Sequence, residues 1–273
     1  HKTMEEYFSE KLKLFDLNKE NGSSVVLIDN EYGKRISEIN SHTKCISIEN
    51  EDVDYSCTSY GINDLGIKGT LAWDSKTLDF ESKLIGLFNL ENLILAAAIA
   101  IELNISSKSI SEGIKNCTNI VGRLHLVKNK ADQMIFLDYG HTPDAYLKVL
   151  KTLKNSFCRP LKVVFGAGGG RDKSKRPKMA EVVEKYSEEC YLAPDNPRFE
   201  DIESINDDVK NGFSNNNHHC FNDRKEALEF ALKNLKPDEI LIIFGKGIEE
   251  YQEINGTKHF YSDSNIIKEF YEN

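Results

Sequence analysis

The feature that most constrains this chain is the regular alternation of short apolar runs and longer helical patterns in its second half. Strands are predicted at residues 134–138, 161–165, 190–193 and 239–244. Helices are predicted at residues 143–154, 177–188, 202–212, 223–236 and 265–271. Strands and helices that alternate at this spacing are typical of a mostly parallel sheet with helices on both faces. The second half is therefore predicted to be a Rossmann-like α/β domain.

The first half is less regular. It predicts a helix at residues 4–17 with Thr3 as its N-cap, a strand at 24–29, and helices at 88–103 and 107–116. The cap of the last of these helices is expected at Ser107 or Ser109. Short strand-like runs in residues 42–82 predict a small antiparallel excursion. The pattern changes near residues 119–123, so we expect two domains, at residues 1–120 and 121–273.

Composition excludes several classes of protein. The 273 residues include 35 Lys and Arg against 44 Asp and Glu, a formal charge of 35 − 44 = −9, which argues against nucleic acid and anionic membranes as partners. No apolar run approaches the roughly 20 residues of a membrane span. The six cysteines form no C-x-x-C pair, which excludes a zinc ribbon and favours reduced thiols. We expect a soluble, cytoplasmic monomer. Because the chain opens without Met, we also expect it to begin downstream of its natural N-terminus.

Ligands of open parallel sheets bind beyond the carboxyl ends of the strands, so the loops there are candidate sites. The loop at residues 165–177 holds four glycines and four cations, Arg171, Lys173, Lys175 and Arg176. Pro177 is expected to open the next helix at its first position. Backbone N–H groups, cations and a helix N-terminus favour an anion site, and a flexible basic loop is the alternative. No Walker A pattern occurs in the chain.

Two further loops combine rigid turns with charge. Asp195, Asn196, Pro197 and Arg198 follow a predicted strand, either as an ordinary Asx turn or as a turn whose guanidinium binds a carboxylate. Gly245 frees the backbone after the most apolar strand, and Glu249 lies four residues further on. Glu249 either begins a helix or pairs with an ammonium group. Together with Arg198, it would suit a zwitterionic amino acid.

The remaining candidates are less specific. Asp138 ends a predicted strand, and His141 precedes a helix, where a structural role is more common than a catalytic one. Asn89 and Asn92 share a helical face, where a buried pair can read a purine edge or simply cap the helix. Arg123, at the domain junction, could meet phosphates. The run at residues 215–219 (NNNHH) is predicted to be a solvated loop, and a metal role for His218 and His219 is disfavoured.

In chain order, several segments resemble signatures of one family, the Mur ligases, and most closely its tripeptide-forming MurE type. These segments are TMEEYFSEKLKLF, GLFNLENLILAAAIA, VGRLH, LDYGHTPDA, GGGRDKSKRPKM, DNPR and GKGIEEYQ. The resemblance implies part of a central nucleotide-binding α/β domain followed by a C-terminal amino-acid-binding domain. The chain departs from the family pattern at Gly140, Gly170 and Ile248, where the family usually has Ala, Asp and His, and at Val121, where it usually has Pro.

The resemblance also implies roles for particular residues. Lys11 corresponds to a carbamylated lysine that helps to hold Mg²⁺. The positions that line the ATP site correspond to Asn89, Asn92, Arg123, Asp138 and His141. The positions that hold the incoming diamino acid correspond to Arg171, Asp195, Asn196, Pro197, Arg198, Gly245 and Glu249.

The implied reaction is the ATP-dependent addition of meso-diaminopimelate to UDP-N-acetylmuramoyl-L-alanyl-D-glutamate through an acyl phosphate, in peptidoglycan precursor synthesis. The implied small molecules are these two substrates, ATP and Mg²⁺. Because the phosphate-binding loop is absent, we expect this chain alone to be inactive. A lysine-adding ligase, a folylpolyglutamate-type ligase and a non-catalytic nucleotide- or amino-acid-binding fragment remain the alternatives.

Overall fold

The computed structural model describes residues 3–17, 22–40 and 42–272. The chain divides into two compact units, His1–Thr118 and Asn119–Asn273. This division lies two residues before the boundary expected from the sequence.

The first unit contains four helices and five strands in its described part. Its helices are α1 (Met4–Asp16), α2 (Glu31–Ile39), α3 (Leu87–Glu102) and α4 (Ser107–Asn116). Its strands are β1 (Ser24–Leu27), β2 (Thr43–Ser47), β3 (Tyr55–Asn63), β4 (Gly66–Trp73) and β5 (Lys76–Ser82). They form one sheet in the order β1-β2-β3-β4-β5.

The prediction of an antiparallel excursion at residues 42–82 is only partly right. β3, β4 and β5 are antiparallel, but β2 pairs in parallel with both β1 and β3. The sequence interpretation also missed α2, a nine-residue helix whose N-cap, Asn30, accepts a hydrogen bond from the Gly33 amide. A helix between β1 and β2 is what a parallel connection requires, so these two errors have one cause.

Helix caps follow the residue chemistry. Thr3 accepts a hydrogen bond from the Glu6 amide and begins α1 as predicted. The cap expected at Ser107 or Ser109 was wrong: the N-cap of α4 is Ser106, whose hydroxyl accepts from the Ser109 amide. A serine hydroxyl reaches the amide three residues on, and Ser106 has the extended backbone that this geometry needs.

The second unit is a three-layer arrangement around one sheet. Its helices are α5 (Pro143–Phe157), α6 (Lys175–Tyr186), α7 (Ile202–Lys210), α8 (Arg224–Lys233) and α9 (Asp263–Glu272). Its strands are β6 (His125–Leu126), β7 (Met134–Asp138), β8 (Leu161–Phe165), β9 (Glu189–Leu192), β10 (His218–Cys220), β11 (Ile240–Phe244), β12 (Tyr251–Ile254) and β13 (Thr257–Phe260). The main sheet has the order β10-β9-β8-β11-β7-β6, and only the β6–β7 pair is antiparallel.

The mostly parallel sheet predicted from the alternation is confirmed. Every residue of β8 and β11 is buried. Because alternate side chains point to opposite faces of a sheet, both faces must be covered. Helix α6 contacts both α5 and α7, and α8 contacts α9, which gives two separate groups of helices.

Three local details of this unit differ from expectation. α6 begins at Lys175, so Pro177 is its third residue instead of its first, which is tolerated because the first-turn amides have no partner inside the helix. His218 and His219 belong to β10, which pairs with β9, and not to a solvated loop. The antiparallel hairpin β12–β13 was not predicted. In the described part of the chain, no helix is both long and apolar enough to cross a membrane.

A buried charge cluster closes the amino-terminal edge of the sheet. Lys162 forms ion pairs with Glu189 at 2.9 Å and Glu239 at 3.3 Å, and it is almost fully buried. Burial of Glu189 opposes its ionisation, but hydrogen bonds from Lys162, Tyr191 and His219 outweigh this effect and lower its pKa to about 2. The folded state therefore favours the ionised form.

This cluster predicts a pH dependence of stability. Since the pKa of Glu189 is lower in the folded than in the unfolded chain, its contribution is complete above about pH 5 and is lost as the pH falls toward 2. We expect Glu189→Gln to lower the free energy of unfolding by about 2–3 kcal/mol at pH 7 and by much less near pH 3. Urea unfolding at both pH values measures this. The neighbouring Glu188→Gln, which alters an exposed ion pair, is the control. A loss of equal size at pH 7 and pH 3 would contradict the prediction.

Candidate functional site

A cavity of about 290 Å³ lies at the carboxyl edge of the main sheet. Its walls come from the four loops that follow β7, β8, β9 and β11. The lining residues are Tyr139, His141, Gly168, Arg171, Lys175, Asp195, Asn196, Arg198, Gly245 and Glu249. Parallel strands deliver these loops to one edge, so residues more than 100 positions apart meet there.

Most of the predicted amino-acid site comes together in this cavity. Six of the seven residues line it, and the seventh, Pro197, is buried in the turn behind it. His141, predicted for the nucleotide, lines the same cavity. Sequence reasoning missed Tyr139 and the structural role of Lys246.

Glycines allow the loop after β8 to lie directly against the turn after β9. A Cβ on Gly166 would stand 1.8 Å from the Ala193 carbonyl oxygen, and one on Gly169 would stand 1.9 Å from that of Pro197. The Gly169 amide instead donates to the Asn196 carbonyl at 2.9 Å. Any larger residue at either position would separate the two loops.

The buried ammonium of Lys246 links the turn after β9 to the loop after β11. Its Nζ donates to Asn196 Oδ1 at 2.5 Å and to the Tyr251 carbonyl at 2.8 Å. It also lies 3.3 Å from Asp195 Oδ1 and 3.5 Å from Glu249 Oε2. Lys246 is fully buried, so these groups replace its hydration shell.

The charge states of this network follow from its contacts. Burial lowers the pKa of Lys246, against the opposing charges of Asp195 and Glu249. Burial also works to raise the pKa of Glu249, but hydrogen bonds from Tyr139 and Asn196 and the charge of Lys246 lower it overall. Glu249 is therefore held as a carboxylate beside the cavity, which is the state that can bind an ammonium group.

Arg198 is held in an unusual backbone conformation beside the same cavity. Its φ is 54°, a left-handed value that costs a non-glycine residue energy. The backbone is fixed by β12: the Arg198 amide donates to the Glu253 carbonyl at 2.9 Å, and the Arg198 carbonyl accepts from the Asn255 amide. Arg198 Nη1 donates to the Gly169 carbonyl at 2.8 Å, and its Nε lies 3.3 Å from Glu253 Oε2.

The hairpin that fixes Arg198 has a local sequence signal from which it could have been predicted. Its turn is Asn255-Gly256, with φ of 49° and 76°. Two positive φ values define a type I′ turn, and Asn-Gly between short strands is a strong signal for it. The flanking runs YQEI and TKHF are only partly apolar, which is why the pattern of hydrophobicity alone did not reveal the hairpin.

The four cations predicted after β8 have different environments. Arg176 is fully buried between Glu200 and Asp208, at 3.0 and 2.8 Å, and also donates to the Gly168 carbonyl. Lys173 pairs with Glu200 at 3.3 Å. Only Arg171 and Lys175 line the cavity, so the expectation of four ligand-binding cations was wrong for Arg176, whose charge is used inside the protein.

The loop after β7 is shaped by Asp138. One carboxylate oxygen accepts from the Leu124 amide at 2.8 Å and the other from the Gly140 amide at 2.7 Å. Burial raises the pKa of Asp138 despite these hydrogen bonds. A Cβ at position 140 would lie 2.8 Å from Asp138 Oδ1, so Gly140 suits this tight arrangement. The predicted nucleotide residue Asp138 thus organises the loop and does not line the cavity.

His141 and Arg123 both contact the ring of Tyr139. The His141 ring meets Tyr139 edge-on at 5.7 Å, and the Arg123 guanidinium lies 5.4 Å from the centre of the Tyr139 ring. The Tyr139 hydroxyl donates to Glu249 at 2.8 Å. Both flanking side chains are exposed. Tyr139 therefore connects the predicted nucleotide residues with the predicted amino-acid residues.

A buried ion pair supports the end of β11. Arg224 and Asp263 are both buried and meet through two contacts, of 3.0 and 2.8 Å. Arg224 Nη2 also donates to the Phe244 carbonyl at 2.8 Å, immediately before Gly245. α8 and α9 thereby fix the point from which the Lys246 loop departs.

The predicted site residues of the first unit differ in their burial and surroundings. Asn89 is buried, and its side-chain Nδ2 donates to the Ile85 carbonyl at 2.8 Å, but Asn92 is exposed, so they do not form a buried pair. Lys11 is exposed and borders a cavity of about 400 Å³ with mostly apolar neighbours. The described residues contain no cluster of three or more His, Cys, Asp or Glu that could hold a metal.

Comparison with known proteins agrees with this arrangement. Residues 1–100 match the Mur ligase middle domain, and residues 122–247 match the Mur ligase glutamate ligase domain. The chain belongs to the Mur ligase family.

Two relatives within the family are similar to this chain over nearly its whole length. The chain is 37% identical to UDP-N-acetylmuramoyl-L-alanyl-D-glutamate--2,6-diaminopimelate ligase of Aquifex aeolicus over 98% of this chain and 55% of that protein. It is 34% identical to the protein of that name from Bacillus licheniformis, over 98% of this chain and 56% of that protein. The chain thus spans just over half the length of these relatives.

Solved structures show the same fold. A structure of a ligase with the same name is matched at 31% identity and a TM-score of 0.63, over 100% of this chain and 57% of that one. Folylpolyglutamate synthase of Thermotoga maritima matches at a TM-score of 0.67 but only 22% identity, over 90% of this chain and 55% of that one. The latter likeness concerns the fold alone.

The Lys246 network can be tested through stability. Lys246→Met keeps a side chain of similar length and removes the charge, so Asp195 and Glu249 lose their buried counter-charge. We expect the free energy of unfolding of the second unit to fall by about 3–5 kcal/mol, as measured by urea unfolding. Lys128→Met, at an exposed position of the same unit, should change it by less than about 0.5 kcal/mol. Equal effects of the two substitutions would show that Lys246 is not the link between the loops.

Proposed function

We propose that this chain forms part of an ATP-dependent ligase that adds meso-diaminopimelate to UDP-N-acetylmuramoyl-L-alanyl-D-glutamate in peptidoglycan precursor synthesis. The second unit binds the incoming amino acid, and the first contributes to the nucleotide-binding domain. The names of the relatives and the identity of 32–37% across nearly the whole chain support this assignment.

The observation that carries the proposal is the set of charges around one cavity. Arg198, Arg171 and Lys175 offer three cations, and Asp195 and Glu249 offer two carboxylates. Meso-diaminopimelate has two carboxylates and two ammonium groups, whereas lysine has one carboxylate. A cavity with cations in excess of free carboxylates suits the ligand that carries the extra negative charge.

In the proposed reaction, ATP transfers its γ-phosphoryl group to the carboxylate of the UDP-linked substrate and leaves as ADP, and the neutral amine of diaminopimelate attacks the acyl phosphate. The tetrahedral intermediate then expels phosphate. Arg198 binds the distal carboxylate and Glu249 an ammonium group, which together orient the amino acid. Arg171 and Lys175 add positive charge near these groups.

The remaining predicted residues have supporting roles in this proposal. Asn89, Asn92, Arg123, Asp138 and His141 are assigned to the ATP side. Lys11 as a magnesium-holding carbamate stays a prediction from the resemblance, and the steps above do not depend on it. A cytoplasmic location is proposed because ATP and the UDP-linked substrate are cytoplasmic metabolites.

Arg198 provides the direct test. In the full-length ligase to which we assign this chain, Arg198→Ala should lower kcat/KM for meso-diaminopimelate by about 10- to 100-fold, because a charged hydrogen bond is worth about 1.5–3 kcal/mol. The much weaker reaction with lysine should change little, since lysine has no distal carboxylate. Arg198→Lys should give an intermediate result, because it keeps the charge and loses the planar fork.

The matched control is Arg159→Ala, which removes an exposed arginine before β8, at the opposite edge of the sheet. It should leave both kcat/KM values unchanged. If Arg198→Ala lowers the two values by the same factor, Arg198 does not recognise the distal carboxylate. If the wild-type ligase does not use meso-diaminopimelate, the proposed function itself is wrong.

A further inference from the structure

We propose that Glu253 is a specificity-determining residue, a resident carboxylate that competes with the ligand's distal carboxylate for Arg198. The inference rests on the proposed function and adds a residue to it. In this arrangement the protein weakens its own affinity for dicarboxylic amino acids.

The contacts of the Arg198 guanidinium define what a ligand can reach. Nη1 donates to the Gly169 carbonyl at 2.8 Å, and Nε lies 3.3 Å from Glu253 Oε2. A carboxylate binds a guanidinium in bidentate fashion along one of two edges, Nε with Nη2 or Nη1 with Nη2. Nε has a single hydrogen and faces Glu253, whereas Nη1 has two hydrogens, so the Gly169 carbonyl need not occupy the Nη1–Nη2 edge. A bidentate ligand on the Nε–Nη2 edge must therefore displace the Glu253 carboxylate.

Of the two partners of the Arg198 guanidinium, the Glu253 side chain is the one that can move away. The Gly169 carbonyl belongs to a loop whose own amide is bonded to the Asn196 carbonyl, and a Cβ at Gly169 would collide with Pro197. The backbone of Glu253 is also fixed, since its amide donates to Asn196 Oδ1 at 2.9 Å and its carbonyl accepts from Arg198. Its side chain, by contrast, is about a quarter exposed and has rotatable bonds beyond Cβ.

Displacement of Glu253 has an electrostatic cost that depends on the ligand. Two carboxylates near one guanidinium repel each other, and the partly exposed pair that is lost has only a modest value of its own. An amino acid without a distal carboxylate does not compete for Arg198 and leaves the pair intact. Glu253 therefore acts against ligands with a distal carboxylate and is neutral toward the others.

The chain offers a matched pair of substitutions. Glu253→Gln keeps the size of the side chain and every backbone contact and removes the charge. Glu250→Gln removes the same charge three residues earlier, at an exposed position; like Glu253, Glu250 is not among the residues that line the cavity. A difference between these two variants reports on the Arg198 pair and not on net charge.

The test measures KM and kcat for meso-diaminopimelate and for lysine with the full-length ligase. We expect Glu253→Gln to lower the KM for meso-diaminopimelate by about 3- to 10-fold, with little change in kcat or in the KM for lysine. Glu250→Gln should match the wild type. In the double variant Arg198→Ala/Glu253→Gln the gain should vanish, because there is no guanidinium left to release.

Other outcomes overturn the inference. An unchanged KM for meso-diaminopimelate in Glu253→Gln means that Glu253 does not compete with the ligand. A raised KM also means that it does not compete, and shows instead that Glu253 orients Arg198 for ligand binding. An equal gain in Glu250→Gln means a general charge effect. Failure of the wild-type ligase to use meso-diaminopimelate instead disproves the proposed function, so the two failures are distinguishable.

Discussion

The candidate site depends on one buried charge. The ammonium of Lys246 has no access to solvent, so protein groups must replace its water. Asp195 and Asn196 supply part of that replacement from the turn after β9, and Glu249 and the Tyr251 carbonyl supply the rest from the loop after β11. These groups have to lie around one point, and this requirement fixes how the two loops approach each other. The pair of Arg224 and Asp263 holds the start of the same loop through the Phe244 carbonyl.

Backbone contacts extend this constraint to the rest of the cavity. Gly166 and Gly169 let the loop after β8 touch the turn after β9, and the β12–β13 hairpin bonds to the other side of that turn. Arg198 lies between these two supports with its left-handed backbone. The hydrogen bonds of the surrounding loops hold Arg198 in this conformation and so offset its energetic cost. The guanidinium is thus positioned before any ligand arrives, which lowers the entropy cost of binding.

The sequence predicted the helices of the second unit and the strands β7, β8, β9 and β11 because their apolar residues form clear patterns, whereas β6, β10, β12 and β13 were not predicted. Residues such as Ile240 and Ile242 belong to a continuous apolar run that only a sheet covered on both faces would bury. Charged residues with nonlocal partners were not predictable in the same way. Arg176 follows a glycine-rich loop in the first turn of α6, and Lys246 lies between two glycines, so neither local sequence indicates burial. Their burial depends on acidic or amide groups 20 to 50 positions away. The Asn255-Gly256 hairpin was a different case, because its signal was local and could have been read.

Two of the charged groups at the cavity, Glu249 and Arg198, already have partners inside the protein. Glu249 is bonded to Tyr139, Asn196 and Lys246, and Arg198 is paired with Glu253. A zwitterionic ligand therefore binds by exchanging partners, and each new ion pair replaces an existing one. The net gain in binding free energy is therefore smaller than the strength of the new ion pair alone. It depends on how well water solvates the protein group that the ligand displaces. Lys246 is buried and has no solvated state to move to, whereas the Glu253 side chain has one. Selectivity at this edge of the sheet thus depends as much on the internal partners that are released as on the ligand groups that replace them.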